Sequence, residues 1–108
     1  MDKSEMISRI KAGEFKSNNG EVLHAINILK GDYVRLKSVV LALTQIERGA
    51  IHKSVNFLEE EQYIKLRCVG THEPASISDF NMDELEAKLT GKGIRLSAGT
   101  LHDDCIEM

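Results

Sequence analysis

TQIERGAIHKSVNFLEEEQYIKLRCV, residues 44–69, reads as a turn, an amphipathic helix and a strand in immediate succession. Ile51, Val55 and Leu58 recur at i, i+4 and i+7 and share one apolar face, while His52, Lys53, Asn56 and Glu59 point elsewhere. After Gln62 the period changes from helical to alternating. Ile64, Leu66 and Cys68 then fall on one side and Lys65, Arg67 and Val69 on the other. A helix that hands over directly to a half-buried strand makes the chain α+β.

Upstream, RLKSVVLALTQ supplies Leu36, Val39, Val40 and Leu43 as the apolar stripe of another helix, with Arg35, Lys37 and Ser38 on its exposed side. The Gly-containing connection Thr44–Gly49 sets the bend between the two helices. Asp32, Tyr33 and Val34 are too few for a helix and predict a short extended link. Before them, GEVLHAINILKG places Val22, Leu23, Ile26 and Leu29 on one stripe, ended by Gly31. Residues 2–11 predict a separate amphipathic helix with Met6, Ile7 and Ile10 on one side, capped by Asp2 or Ser4. Gly13 and the polar run KSNNG predict a break between these two helices.

Downstream, GTHEPAS carries the only proline and is a loop. Residues 78–89 admit two readings. Leu85, Ala87 and Leu89 alternate as a returning strand would, and a strand at 63–69 needs a partner. Phe80, Leu85 and Leu89 also fit a helix capped by Ser78. Thr90 opens a short helix, TGKGIRLSAG, that Gly99 terminates. The tail LHDDCIEM is polar and is expected to be mobile, with Leu101 and Ile106 exposed. With the strand reading, the order is that of a winged helix-turn-helix: a three-helix core and a β-hairpin wing, with an extra N-terminal helix and a short C-terminal helix. The expected division is a helix and linker at 1–16, the winged-helix domain at 17–99 and a tail at 100–108.

A chain of 108 residues is one domain, and with five aromatic residues among them its core must be mostly Ile, Leu and Val. No apolar run approaches the length of a membrane helix, and the first residues alternate charged with single apolar positions, unlike a signal sequence. A cytoplasmic protein is expected. Cys68 and Cys105 lie far apart with no CxxC spacing, which points to reduced thiols. His24, His52, His72 and His102 form no pair with ligand spacing, so no metal is expected. The net charge of −3 is unevenly spread. Residues 30–53 hold Lys30, Arg35, Lys37, Arg48 and Lys53 against only Asp32 and Glu47, and the chain beyond is acidic.

From Val34 to Gly99, about two thirds of the chain, the sequence resembles the small winged-helix proteins encoded by Mu-like phages and prophages, often grouped with bacterial winged-helix regulators. VRLKSVVLAL and IHKSVNFLEEEQYIKL carry the helical pair of that resemblance. LTGKGIRLSAG carries its strand ending in Leu-Thr, followed by Gly and then a small residue before a second Gly. Two departures stand out. The loop from Gly70 to Asp83 is long, and the C-terminus lacks the basic, proline-containing ending of those proteins.

A helix-turn-helix of this kind predicts a helix, beginning near Ala50, that enters the major groove of double-stranded DNA. Arg48, His52, Lys53 and Asn56 are the candidate base readers, since Arg pairs with guanine and Asn with adenine through two hydrogen bonds. Arg35, Lys37 and Ser54 are the candidate phosphate contacts. The wing loop offers His72 and Thr71 against Glu73, and Glu59 to Glu61 would repel phosphate at the far end of the helix. The competing reading is a winged-helix module for protein interaction or assembly that touches no nucleic acid. Nothing pairs a nucleophile with a base, and His102, Asp103, Asp104 and Cys105 read as solvated, so an enzyme, a cofactor and a small-molecule ligand are not expected. Because one recognition helix covers little DNA, a homodimer is expected, built on Met6, Ile7, Ile10, Leu101 and Ile106.

Overall fold

A computed structural model describes residues 2–28 and 32–108. Among these the helices are α1 (Lys3–Ile28), α2 (Leu36–Ala42), α3 (Arg48–Glu60) and α4 (Gly91–Ser97), and the strands are β1 (Val34–Arg35), β2 (Ile64–Cys68), β3 (Pro74–Ala75) and β4 (Leu85–Leu89). The strands form one antiparallel sheet in the order β1-β4-β2-β3. This α+β arrangement is compatible with a winged helix. No helix among the described residues is long and apolar enough to cross a membrane.

The periodic stripes fold as their spacing dictates. Ile51, Val55 and Leu58 of α3 are fully buried, as are Val22 and Leu23 of α1 and Leu36 of α2. Val40 and Leu43 pack against this core while partly exposed. Leu29 and Gly31, the expected end of the first core helix, lie outside the described residues. Register places Val34, Ala87 and Leu66 in one row across three strands, and all three side chains are buried. The next row, Arg35, Glu86 and Arg67, faces the other way.

Residues 85–89 are the strand, and no helix starts at Ser78. Instead Asn81 caps a single 3-10 turn, Met82–Glu84: its Oδ1 accepts from the Asp83 amide at 2.9 Å, and Glu84 Oε1 accepts from the Asn81 amide at 3.3 Å. At the end of β4, Thr90 Oγ1 accepts from the Gly93 amide at 3.1 Å and caps α4, and Gly99, just past the Ala98 C-cap of that helix, takes φ +84°. Gly93 is required for packing, because a Cβ there would lie 2.1 Å from the Tyr63 carbonyl oxygen.

Two expectations are overturned at the ends of the chain. The break predicted at Gly13 and KSNNG does not form, so the boundary drawn at residue 16 falls inside α1. Asn19 and Gly20 look like loop formers, but both are buried and both serve the C-terminal tail. Asn19 Nδ2 donates to the Cys105 carbonyl at 2.9 Å, and a Cβ on Gly20 would meet the Glu107 carbonyl oxygen at 1.9 Å. Tertiary contact overrides local propensity here.

The tail itself packs against the body of the protein. Ile106 is only 4% exposed and belongs to the core, Leu101 is half-buried against it, and the Glu107 amide donates to the Lys16 carbonyl at 3.1 Å. Neither residue is available to a second copy in the way the sequence predicts, since burying them is what attaches the tail. Tyr63, also buried, donates its hydroxyl to the Asp103 carboxylate. Burial and that neighbouring carboxylate push the phenol pKa above its ordinary value.

Candidate nucleic-acid interface

The faces of α3 are set by helical spacing. Ile51, Ser54, Val55 and Leu58 form its buried side, and Gly49, Lys53, Asn56 and Glu60 come round on the opposite side, all exposed, with His52 exposed beside them. Ser54, expected to hold a phosphate, is only 1% exposed and cannot do so. It sits three residues after Ile51 and four before Leu58, on the core stripe. The other expected phosphate contacts, Arg35 and Lys37, are exposed on β1 and α2.

The exposed strip of α3 has two flanks. On one side α1 lies against it, with the Phe15 and Phe57 rings edge-to-face at 5.1 Å. Lys53 Nζ stands 5.7 Å from the Phe15 ring centroid, within cation–π reach, over a groove of about 310 Å³ whose walls include Lys11 and Glu14. On the other side runs the long loop between β2 and β4. Glu59 Oε1 accepts from Ser76 Oγ at 2.9 Å and from the Ile77 amide at 3.2 Å, so this acid of α3 ties down the loop. Farther along, Arg48 Nη2 donates to Asn81 Oδ1 at 3.2 Å and to Asp83 Oδ1 at 3.1 Å. With Ile77 and Met82 buried between those two points, residues 76–83 fold back along α3.

Of the four expected base readers, His52, Lys53 and Asn56 therefore reach solvent beside one another. Arg48 is about half-exposed but is already paired with Asp83. Glu47, Glu60, Glu61, Asp79 and Asp83 are exposed on or near this strip. Electrostatically the strip is a short polar track set among acids.

A denser basic surface lies on the outer face of the sheet. Arg35, Lys65, Arg67 and Lys88 share that face with Glu86, which is 7% exposed and holds Arg67 Nε at 2.5 Å. Arg67 also stacks on the Tyr33 ring at 3.7 Å, and Lys88 Nζ lies 5.9 Å from the same ring. His72 Nε2 approaches Glu86 to 3.8 Å, which turns that loop residue toward the sheet. Alternation in β2 already put Lys65 and Arg67 on one side. Adding Arg35 and Lys88 needs the strand register, which periodicity alone does not supply.

Met6, Ile7 and Ile10 stay largely exposed on α1. No protein family, curated protein or solved structure matches the chain.

Proposed function

We propose that the chain is a winged-helix protein that binds double-stranded DNA through the exposed strip of α3, and that it acts as a transcriptional regulator in the cytoplasm. The observation that carries this reading is the uncovered strip itself. The pair α2–α3 is followed by a sheet in which β4 lies between β1 and β2, and the one side of α3 left open presents His52, Lys53 and Asn56. Asn offers an amide that matches adenine, and Lys donates to guanine or phosphate. Arg35 and Lys37 are the remaining phosphate contacts in this mode. The resemblance to phage and prophage winged-helix proteins supports the regulatory role.

The test is a selection from random duplexes at low salt, followed by titration of an enriched duplex. Affinity is expected to fall about fortyfold between 50 and 200 mM salt if three phosphates are contacted. Lys53→Glu and Asn56→Ala are expected to lose binding, while Lys65→Glu with Lys88→Glu leaves it unchanged. Loss in the sheet pair alone would move docking to the sheet.

A second reading, a module for protein assembly without DNA contact, is favoured by one observation: Arg48 is neutralised by Asp83 beside a strip flanked by acids. No enrichment of any duplex by the intact chain would select that reading.

A further inference from the structure

α1 is 26 residues long, about 39 Å at 1.5 Å per residue, yet only part of it packs on the body of the protein. Every residue from Asp2 to Glu14 is exposed, and Phe15 is the first half-buried one. The helical stretch Lys3–Glu14 is thus about 18 Å of unburied helix. An isolated segment of that length is marginal in water, and this one contains Gly13, Ser4, Ser8 and two β-branched residues. It also carries three large apolar side chains in the open, Met6, Ile7 and Ile10 at 52%, 46% and 58% exposure.

Lys3, Ile7, Ile10 and Glu14 are spaced at i, i+4, i+7 and i+11 and form a single seam along this stretch. The seam lies roughly 130° round the helix from the side of Phe15, Asn19, Val22 and Leu23 that docks on the core, and only its last residue, Glu14, borders the groove shared with α3, so an antiparallel second helix comes near the body at its own N-terminus alone. Read from N to C it runs Lys, Ile, Ile, Glu; read backwards it runs Glu, Ile, Ile, Lys. The seam is complementary to its own reversal.

We propose that the projecting half of α1 pairs antiparallel with the same segment of a second copy of this chain. Ile7 of each copy packs on Ile10 of the other, and Lys3 of each faces Glu14 of the other. Met6 then faces Gly13 across the seam, where the missing side chain leaves room for it. A parallel pairing would oppose Lys3 to Lys3 and Glu14 to Glu14, which self-repulsion disfavours. Such an interface falls below the roughly 1,200 Å² of a stable specific contact, so monomer and dimer exchange readily. The inference does not rest on DNA binding and is tested without DNA.

Sedimentation of the full chain from about 10 to 500 μM measures it. The wild type is expected to move from monomer toward dimer over that range. Lys3→Glu and Glu14→Lys each replace two cross-helix attractions by repulsions and are expected to weaken association about tenfold, with the double variant K3E/E14K restoring it. Ile7→Asp is expected to abolish pairing while the unfolding midpoint of the dilute chain stays unchanged. A wild type that remains monomeric throughout, single charge variants that associate as well as wild type, or a double variant that fails to recover would each overturn the proposal.

Discussion

The two halves of α1 are one helix by backbone geometry and two different objects by environment. From Phe15 onward the helix is held by its surroundings: Val22 and Leu23 are fully buried, Phe15 meets Phe57, and Asn19 and Gly20 receive the tail. From Lys3 to Glu14 every residue is exposed, and only intrahelical hydrogen bonds and caps support the fold. Asp2 supplies such a cap, its Oδ1 accepting from the Glu5 amide at 2.8 Å. The lesson is that helix propensity does not decide where this helix is firm. Its best-held residues include an Asn and a Gly, and its least-held ones include two isoleucines.

The largest expected contrast between the halves is a truncation in each. Leu23→Ala leaves a cavity at a fully buried site and is expected to cost about 2–5 kcal/mol in denaturant unfolding. Ile10→Ala, on an exposed position, is expected to change the stability of the dilute chain by less than about 0.5 kcal/mol. Equal costs would mean that the projecting half is packed as firmly as the docked one.

The next contrast tests the tail that the docked half receives. Tyr63 donates to the Asp103 carboxylate, and removing that bond with Tyr63→Phe is expected to cost about 1.5–3 kcal/mol. Its phenol pKa is raised in the fold, so the neutral hydroxyl is the form that folding favours. The stability it contributes is full below the unfolded value of about 10 and drains away as pH rises beyond that. Wild-type stability is therefore expected to fall above about pH 10, with a slope that Tyr63→Phe lacks. Denaturant titrations at several alkaline pH values check this.

Legibility in the sequence follows the range of the interactions. The stripes of α2 and α3, the alternation of β2 and the caps at Thr90 and Gly99 are set by neighbours within a few residues and are legible, whereas the spacing in β4 also fits a helix and its strand reading leans on the need of β2 for a partner. Asn19 and Gly20 mislead because their partners, Cys105 and Glu107, lie at the other end of the chain. Arg48 read as free because Asp83 is 35 residues away. Ile106 sits in a tail with no period to expose its role. Ser54 differs from these: its spacing to Ile51 and Leu58 already marked the buried face, so its placement was legible and its polarity misled. The basic sheet face was half legible, through Lys65 and Arg67 but not through their cross-strand neighbours.

The smallest effects come from the two glycines of α1, and they separate its halves most cleanly because the chemical change is identical. Alanine improves helix propensity by about 1 kcal/mol at either position. At Gly20 the new Cβ would sit 1.9 Å from the Glu107 carbonyl oxygen, backbone that cannot rotate away, so the tail must shift. Overpacking of that kind costs about 1–3 kcal/mol, and the net expectation for Gly20→Ala is a loss of up to about 2 kcal/mol with faster amide exchange at residues 101–107. At Gly13 no atom lies within 4 Å of the added Cβ, so propensity acts unopposed. Because every residue of the projecting half is exposed, its opening is expected to leave the core folded, and the gain is expected in local exchange and not in the global midpoint. Gly13→Ala should slow amide exchange across residues 6–14 about fivefold in the dilute chain. An equal slowing at Gly20→Ala would mean that the tail does not press on the helix there, and the distinction between the two halves would fail.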